Sequence, residues 1–118
     1  MSETESNNST SSANAISTNG TNLRGYIESP SDLDYFRISL PAGKTLVVFL
    51  TPPSGKDYDL YLYNSSGTLL ARSEYGTSVR EQVVYKNTGS STITLYAKVV
   101  GYNGASSTSY PYSLKAIW

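Results

Sequence analysis

A chain of 118 residues can bury a single hydrophobic core without staples but not two, so one domain is expected. It contains no cysteine and no histidine, which excludes disulfides and thiolate metal sites and removes the commonest general base and catalytic zinc ligand. Nine basic and nine acidic residues cancel, so the basic footprint of a nucleic-acid binder is missing, and no apolar run approaches the roughly 20 residues of a membrane span.

Taken in chain order, residues 1–22 are dominated by Ser, Thr and Asn, fifteen of them in all, and read as a polar lead-in or linker over 1–19. The polar start lacks a signal-peptide pattern. Met1 on a sequence of extracellular texture is expected to mark a piece excised from a longer protein. From residue 20 onward, short apolar alternations separated by turn signals predict strands over 21–27, 35–40, 45–51, 57–63, 68–72, 82–86, 92–100 and 110–118. Pro41-Ala42-Gly43-Lys44 and Asn64-Ser65-Ser66-Gly67 supply turn chemistry between neighbours. No segment sustains a helical period. The expected fold is all-β, a two-sheet antiparallel sandwich of jelly-roll type with about eight strands, occupying 20–118.

Alternation also sorts the faces. Phe36, Ile38 and Leu40, Leu46, Val48 and Leu50, and Tyr58, Leu60 and Leu62 are expected inside. Val47, Phe49, Asp59, Tyr61, Tyr63, Tyr96, Val100 and Tyr102 are expected outside. Tyrosine offers large contact area with a polar tip, so Phe49, Tyr61, Tyr63, Tyr96, Val100 and Tyr102 form the candidate ligand-binding face. Cross-strand pairing without a ligand would also account for the tyrosines.

The charges are unevenly placed. Up to Asp34 the acids Glu3, Glu5, Glu28, Asp32 and Asp34 face a single base, Arg24. Glu3-Thr4-Glu5-Ser6-Asn7-Asn8 and Ser31-Asp32-Leu33-Asp34 are rich in the hard oxygen donors that calcium prefers, so the 1–19 lead-in folded back beside that loop would form part of a calcium site, although solvated polar chain would read the same way. Catalytic constellations are not apparent. Asp57 and Asp59 have a carboxylate-pair spacing, but exposed solvated acids are the commoner outcome, and no base adjoins a nucleophile in any recognisable motif.

The ordered run of Glu3-x-Glu5-x-Asn7-Asn8, Asp32-x-Asp34-Tyr35-Phe36-Arg37-Ile38, Leu40-Pro41-Ala42-Gly43-Lys44-Thr45-Leu46, Tyr58-Asp59-Leu60-Tyr61-Leu62-Tyr63-Asn64-Ser65-Ser66-Gly67 and Tyr112-Ser113-Leu114 closely resembles the bacterial pre-peptidase C-terminal domain. The resemblance implies a jelly-roll-like sandwich attached to the catalytic domain of a secreted hydrolase, and it relates the chain to the collagen-binding domains of clostridial collagenases. It further implies a structural calcium ion held by Glu3, Glu5, Asn7, Asn8, Asp32 and Asp34. Asn8 and Ser31 stand where those relatives carry aspartate, and Asp32 lies one residue from the second of these. The tyrosine pair that grips collagen in the relatives corresponds to Val100 and Tyr102, so only one of the two is a tyrosine here.

The resulting expectation is a secreted, monomeric, non-catalytic module. It would tether its parent catalytic domain in cis to a polymeric substrate, an insoluble protein or a polysaccharide, with neither nucleic acid nor membrane as a partner. The alternatives are a secretion or maturation appendage removed after export and a carbohydrate-binding module.

Overall fold

Strands that alternate apolar and polar side chains are stable only when two such surfaces meet, and this chain builds two sheets that do so. The structure is a computed structural model and describes residues 3–4, 7–20, 22–74 and 80–118. Among these residues there are nine strands: β1 (Asn14–Ile16), β2 (Asn22–Gly25), β3 (Leu33–Leu40), β4 (Thr45–Thr51), β5 (Tyr58–Asn64), β6 (Leu69–Ser73), β7 (Glu81–Lys86), β8 (Ile93–Gly101) and β9 (Tyr112–Ile117). One sheet has the order β1-β3-β8-β5-β6 and the other β2-β9-β4-β7. All neighbours are antiparallel except β1, which lies parallel to β3 with Asn14 opposite Phe36 and Ile16 opposite Ile38. No helix of the described residues is long and apolar enough to cross a membrane.

The core is the inner row of each strand. Phe36, Ile38 and Leu40 from β3, Leu60 and Leu62 from β5, and Leu95, Ala97 and Val99 from β8 meet Leu46, Val48 and Leu50 from β4 and Leu114 and Ala116 from β9, all fully enclosed. Turns hold the register. The Asn64 Oδ1 accepts from the amides of Ser66 and Thr68, both at 3.0 Å, folding the β5–β6 turn. Buried Asn87 donates to the carbonyls of Leu40 (3.0 Å) and Ser91 (2.9 Å), tying the connections that leave β3 and β7.

Strand limits shift by one or two residues at most ends, and three further features go beyond the sequence reading. The segment 1–19, read as a lead-in, contributes β1 to the first sheet, because Ile16 reaches the core at 3% exposure. A three-residue strand is too short for periodicity to reveal. The last strand starts at Tyr112 and not at residue 110, since Pro111 has no amide to offer a ladder. Asp59, expected to be solvated, is 4% exposed.

If β1 belongs to the cooperative unit, Ile16→Ala should cost about 2–5 kcal/mol, the usual range for truncating a buried aliphatic side chain. Urea denaturation of the full chain measures this, and a loss below about 0.5 kcal/mol, typical of a surface substitution, would show that β1 packs without contributing.

Candidate functional site

Two features carry chemistry: an oxygen-rich cluster where the lead-in crosses the end of the sandwich, and an aromatic face on the five-stranded sheet.

The first is assembled by backbone bonds that draw the lead-in onto two strands. The Glu3 amide donates to the Arg24 carbonyl (2.8 Å), and the Tyr35 amide donates to the Asn7 carbonyl (2.8 Å). The Asn14 side chain, at the start of β1, accepts from the Thr4 amide (2.7 Å) and from Asn7 Nδ2 (3.1 Å). Glu3 is thereby carried over β2, where its carboxylate accepts from the Tyr26 amide (2.5 Å) and Asn7 Nδ2 (3.1 Å). Asp34, fully buried in β3, accepts the Tyr112 hydroxyl at 2.6 Å, and the same hydroxyl lies 3.4 Å from Glu3. A phenol has one proton to give, and the shorter contact assigns it to Asp34.

Gly25 makes this convergence sterically feasible. A Cβ at that position would collide with the Tyr112 ring and hydroxyl and crowd the Glu3 carboxyl. Around the cluster, Asp32 is 8% exposed and accepts from the Glu28 amide (2.9 Å). The Asn8 amide group lies 2.8 Å from the Leu33 carbonyl and 3.0 Å from Asp32 Oδ1. Its nitrogen can donate to both; its oxygen could face them only with a cation between. Tyr58 packs edge-on against Tyr112, with centroids 6.1 Å apart, and its enclosed hydroxyl finds no partner among the described residues.

The electrostatics are unbalanced. Burial raises the Asp34 carboxyl far above its ordinary 3.8, and the hydrogen-bonded Glu3 carboxyl and the charge of Asp32 push the same way, while only Tyr112 opposes them. Asp34 Oδ1 is sealed from solvent with no hydrogen-bond donor among the described residues. Burial, with the charges of Asp34 and Asp32, also pushes the Tyr58 phenol up to about 12. A dry cluster of oxygens with too few donors must hold either a proton or a cation.

Of the sequence-derived metal ligands, the structure brings together Glu3, Asn7, Asn8, Asp32 and Asp34; Glu5 lies outside the described residues. Ser31 is exposed and pairs with Ser29 (3.3 Å), so Asp32 is the residue of that loop that turns inward. Sequence reasoning missed Gly25, Asn14 and Tyr112 as parts of the cluster. A glycine inside a strand pattern was the one available signal, since it often marks a close approach by another group.

The second feature follows from strand register. On the outer face of the five-stranded sheet, Tyr35, Lys98, Tyr61 and Arg72 form one cross-strand row, and Arg37, Tyr96 and Tyr63 form the next. The Tyr61 and Tyr63 rings stack at 6.5 Å with 26° between their planes, and Lys98 Nζ sits over both, at 4.8 Å and 5.2 Å from the centroids. The Tyr61 hydroxyl donates to Glu74 (3.1 Å), which also pairs with Arg72 Nε (3.1 Å). Burial and then this bond to Glu74 push the Tyr61 phenol up to about 12.

Val100 lies on the same outer row of β8, opposite Asp59 and Leu33. Tyr102 lies beyond β8 in the 3-10 turn Tyr102–Gly104, 55% exposed, with its amide donating to the Asp57 carbonyl (2.8 Å). Gly101 must be glycine there, because a Cβ would strike the Ala105 carbonyl. Phe49 does not join the tyrosines. It is on the outer face of the other sheet, half-buried under the Arg80 guanidinium at 4.7 Å, which accounts for an apolar ring at an outward position.

The sequence profile of the bacterial pre-peptidase C-terminal domain matches residues 32–99. Among solved structures the chain is similar to the pre-peptidase C-terminal domain of a collagenase from Bacillus anthracis, with a TM-score of 0.68 and 17% identity over 88% of this chain and 93% of that one. It is also similar to PliG of Aeromonas hydrophila, a periplasmic inhibitor of g-type lysozyme, with a TM-score of 0.65 and 12% identity over 89% and 94% of the two chains. A surface-associated copper-binding protein of Methylomicrobium album BG8, CorA, aligns with a TM-score of 0.51 and 7% identity over 88% and 96%. At these identities the likeness is one of fold. No curated protein sequence matches the chain.

The raised Asp34 value fixes the sign of a pH effect. Because the folded-state value lies above the unfolded 3.8, the stability contributed by the protonated form is complete below that pH and is lost as the pH rises toward the raised value. In metal-free buffer the urea midpoint should therefore fall between about pH 4 and about pH 8, and fall less in Asp34→Asn. Identical pH profiles for the two chains would remove Asp34 as the cause.

Proposed function

The chain belongs to the bacterial pre-peptidase C-terminal domain family, and on that premise we propose that it is a non-catalytic accessory module of a secreted hydrolase, holding its catalytic domain against an insoluble protein substrate. The observation that carries this reading is the stacked Tyr61–Tyr63 pair beneath Lys98 on the outer face of the five-stranded sheet. Two half-buried rings already stacked on one another are preorganised, so little side-chain entropy is lost when a ligand settles against them. Lys98 adds a hydrogen-bond donor that a polypeptide carbonyl can meet. Tethering raises the effective concentration of the catalytic domain at its substrate without any contribution to the chemistry. The absence of histidine and cysteine from the sequence supports a non-catalytic role. The family membership and the fold shared with a collagenase domain support a secreted parent enzyme in cis.

The oxygen cluster supplies the second part of the proposal, a structural calcium ion. Glu3, Asp32 and Asp34 would contribute carboxylates, Asn7 and Asn8 amide oxygens, and the Leu33 carbonyl a backbone ligand, a donor set of hard oxygens in irregular array. Bound there, the ion neutralises the uncompensated charge and fastens the lead-in to β2 and β3.

Retention of the purified chain on insoluble collagen, elastin, chitin and cellulose tests the tether. Binding to a protein polymer that drops at least about tenfold, roughly the loss of one 1.4 kcal/mol contact, in Tyr61→Ala/Tyr63→Ala is expected. Retention on the polysaccharides alone would favour a carbohydrate-binding module, and retention on none of them would defeat the proposal. For the ion, saturating calcium should raise the melting temperature, by a shift equivalent to about 2.7 kcal/mol at a hundredfold excess over Kd. Asp34→Asn should abolish the part of the shift due to this site, and a melting curve that calcium leaves unchanged would rule it out.

A further inference from the structure

A second group of acids lies away from the cluster already described. Asp57 precedes β5, Asp59 lies within it, and Glu81 opens β7, so the group bridges the two sheets where the chain passes from one to the other. One oxygen from each of the three carboxylates falls within 4.8 Å of the others. Asp59 is 4% exposed and Glu81 is fully buried.

Three like charges so placed repel one another and need compensation. Glu81 accepts the buried Ser73 hydroxyl. Among the described residues no donor reaches the Asp59 carboxylate, and Asp57 Oδ1 is sealed from solvent without a partner. Arg72 is exposed and committed to Glu74, 3.1 Å away. Burial, followed by the charges of Asp57, Glu81 and Glu74, pushes the Asp59 carboxyl up to about 7, with no cation acting in the other direction. The charges acting on Asp34 come instead from Glu3 and Asp32.

A buried carboxylate with neither donor nor base is stabilised by ion binding, because an ion restores what desolvation removed. The ligand atoms are all carboxylate oxygens, in a chain without histidine or cysteine, which selects a hard divalent ion over zinc or copper. We propose that Asp57, Asp59 and Glu81 form a second calcium-type cation site that cross-links β5 of one sheet to β7 of the other. Water completes the coordination shell, as calcium takes roughly six to eight oxygens. The site is independent of the one built around Asp34.

Equilibrium binding of calcium to chelator-treated protein tests this. The Asp34→Asn chain should still bind one calcium equivalent, and Asp34→Asn/Asp59→Asn should bind none. An Asp34→Asn chain that binds no calcium would overturn the inference while leaving the first site standing. Conversely, if the first site is the one that fails, the unsubstituted chain binds a single equivalent that Asp59→Asn alone removes. Because Asp59→Asn alters a buried residue, the amide resonances of Leu60 and Gln82 in the Asp34→Asn chain provide a second readout that needs no substitution there. They should shift on calcium addition, and resonances unmoved at saturating calcium would also overturn the site.

Discussion

Period-two alternation in β3, β5 and β8 governs the whole molecule, because it assigns each residue either to the dry layer between the sheets or to the outer surface. Leu60 and Leu62 occupy the layer, and therefore Tyr61 and Tyr63 must lie outside, side by side on the same strand. Register then sets their neighbours. Lys98 stands opposite Tyr61, and Tyr96 opposite Tyr63, so the cationic cover of the tyrosine pair follows directly from how β8 pairs with β5. A slip of one residue would bury the tyrosines and expose the leucines.

The same rule explains why the acids behave differently from one another. Asp34 shares the inner row of β3 with Phe36 and Ile38, and is carried into the dry layer by its strand. Asp59 belongs to the outer row of β5, yet is almost as enclosed, at the end of the strand where Asp57 and Glu81 approach it. One acid is dry by alternation and the other by tertiary placement. In each case hydrophobic packing elsewhere in the sandwich offsets the cost of holding a carboxyl out of water.

Most of the sandwich was legible in the sequence. Strand β4 has the limits that its alternation predicts, and the inner rows of β3 and β5 are those expected. What was hidden depends on contacts distant in sequence. β1 is three residues long and is a strand only because Ile16 meets the core beside Ile38. Tyr112 lies 109 positions from Glu3 and joins the cluster through the pairing of β9 with β2. Phe49 and Tyr61 looked alike as outward aromatics, but alternation says only which side of a strand a residue occupies, not which sheet the strand enters. The burial of Asp59 could not be read locally for the same reason.

The flanking strands have one more consequence. A sheet margin with free amides and carbonyls is a template on which other chains can extend. Here the outermost strands of the larger sheet are β1, only three residues long, and β6, whose pairing is interrupted by a register shift at Leu62/Tyr63. The smaller sheet is flanked on one side by the four-residue β2. Little uninterrupted ladder is left at these three margins, so stacking of crowded copies into fibres would have to start from the six-residue β7.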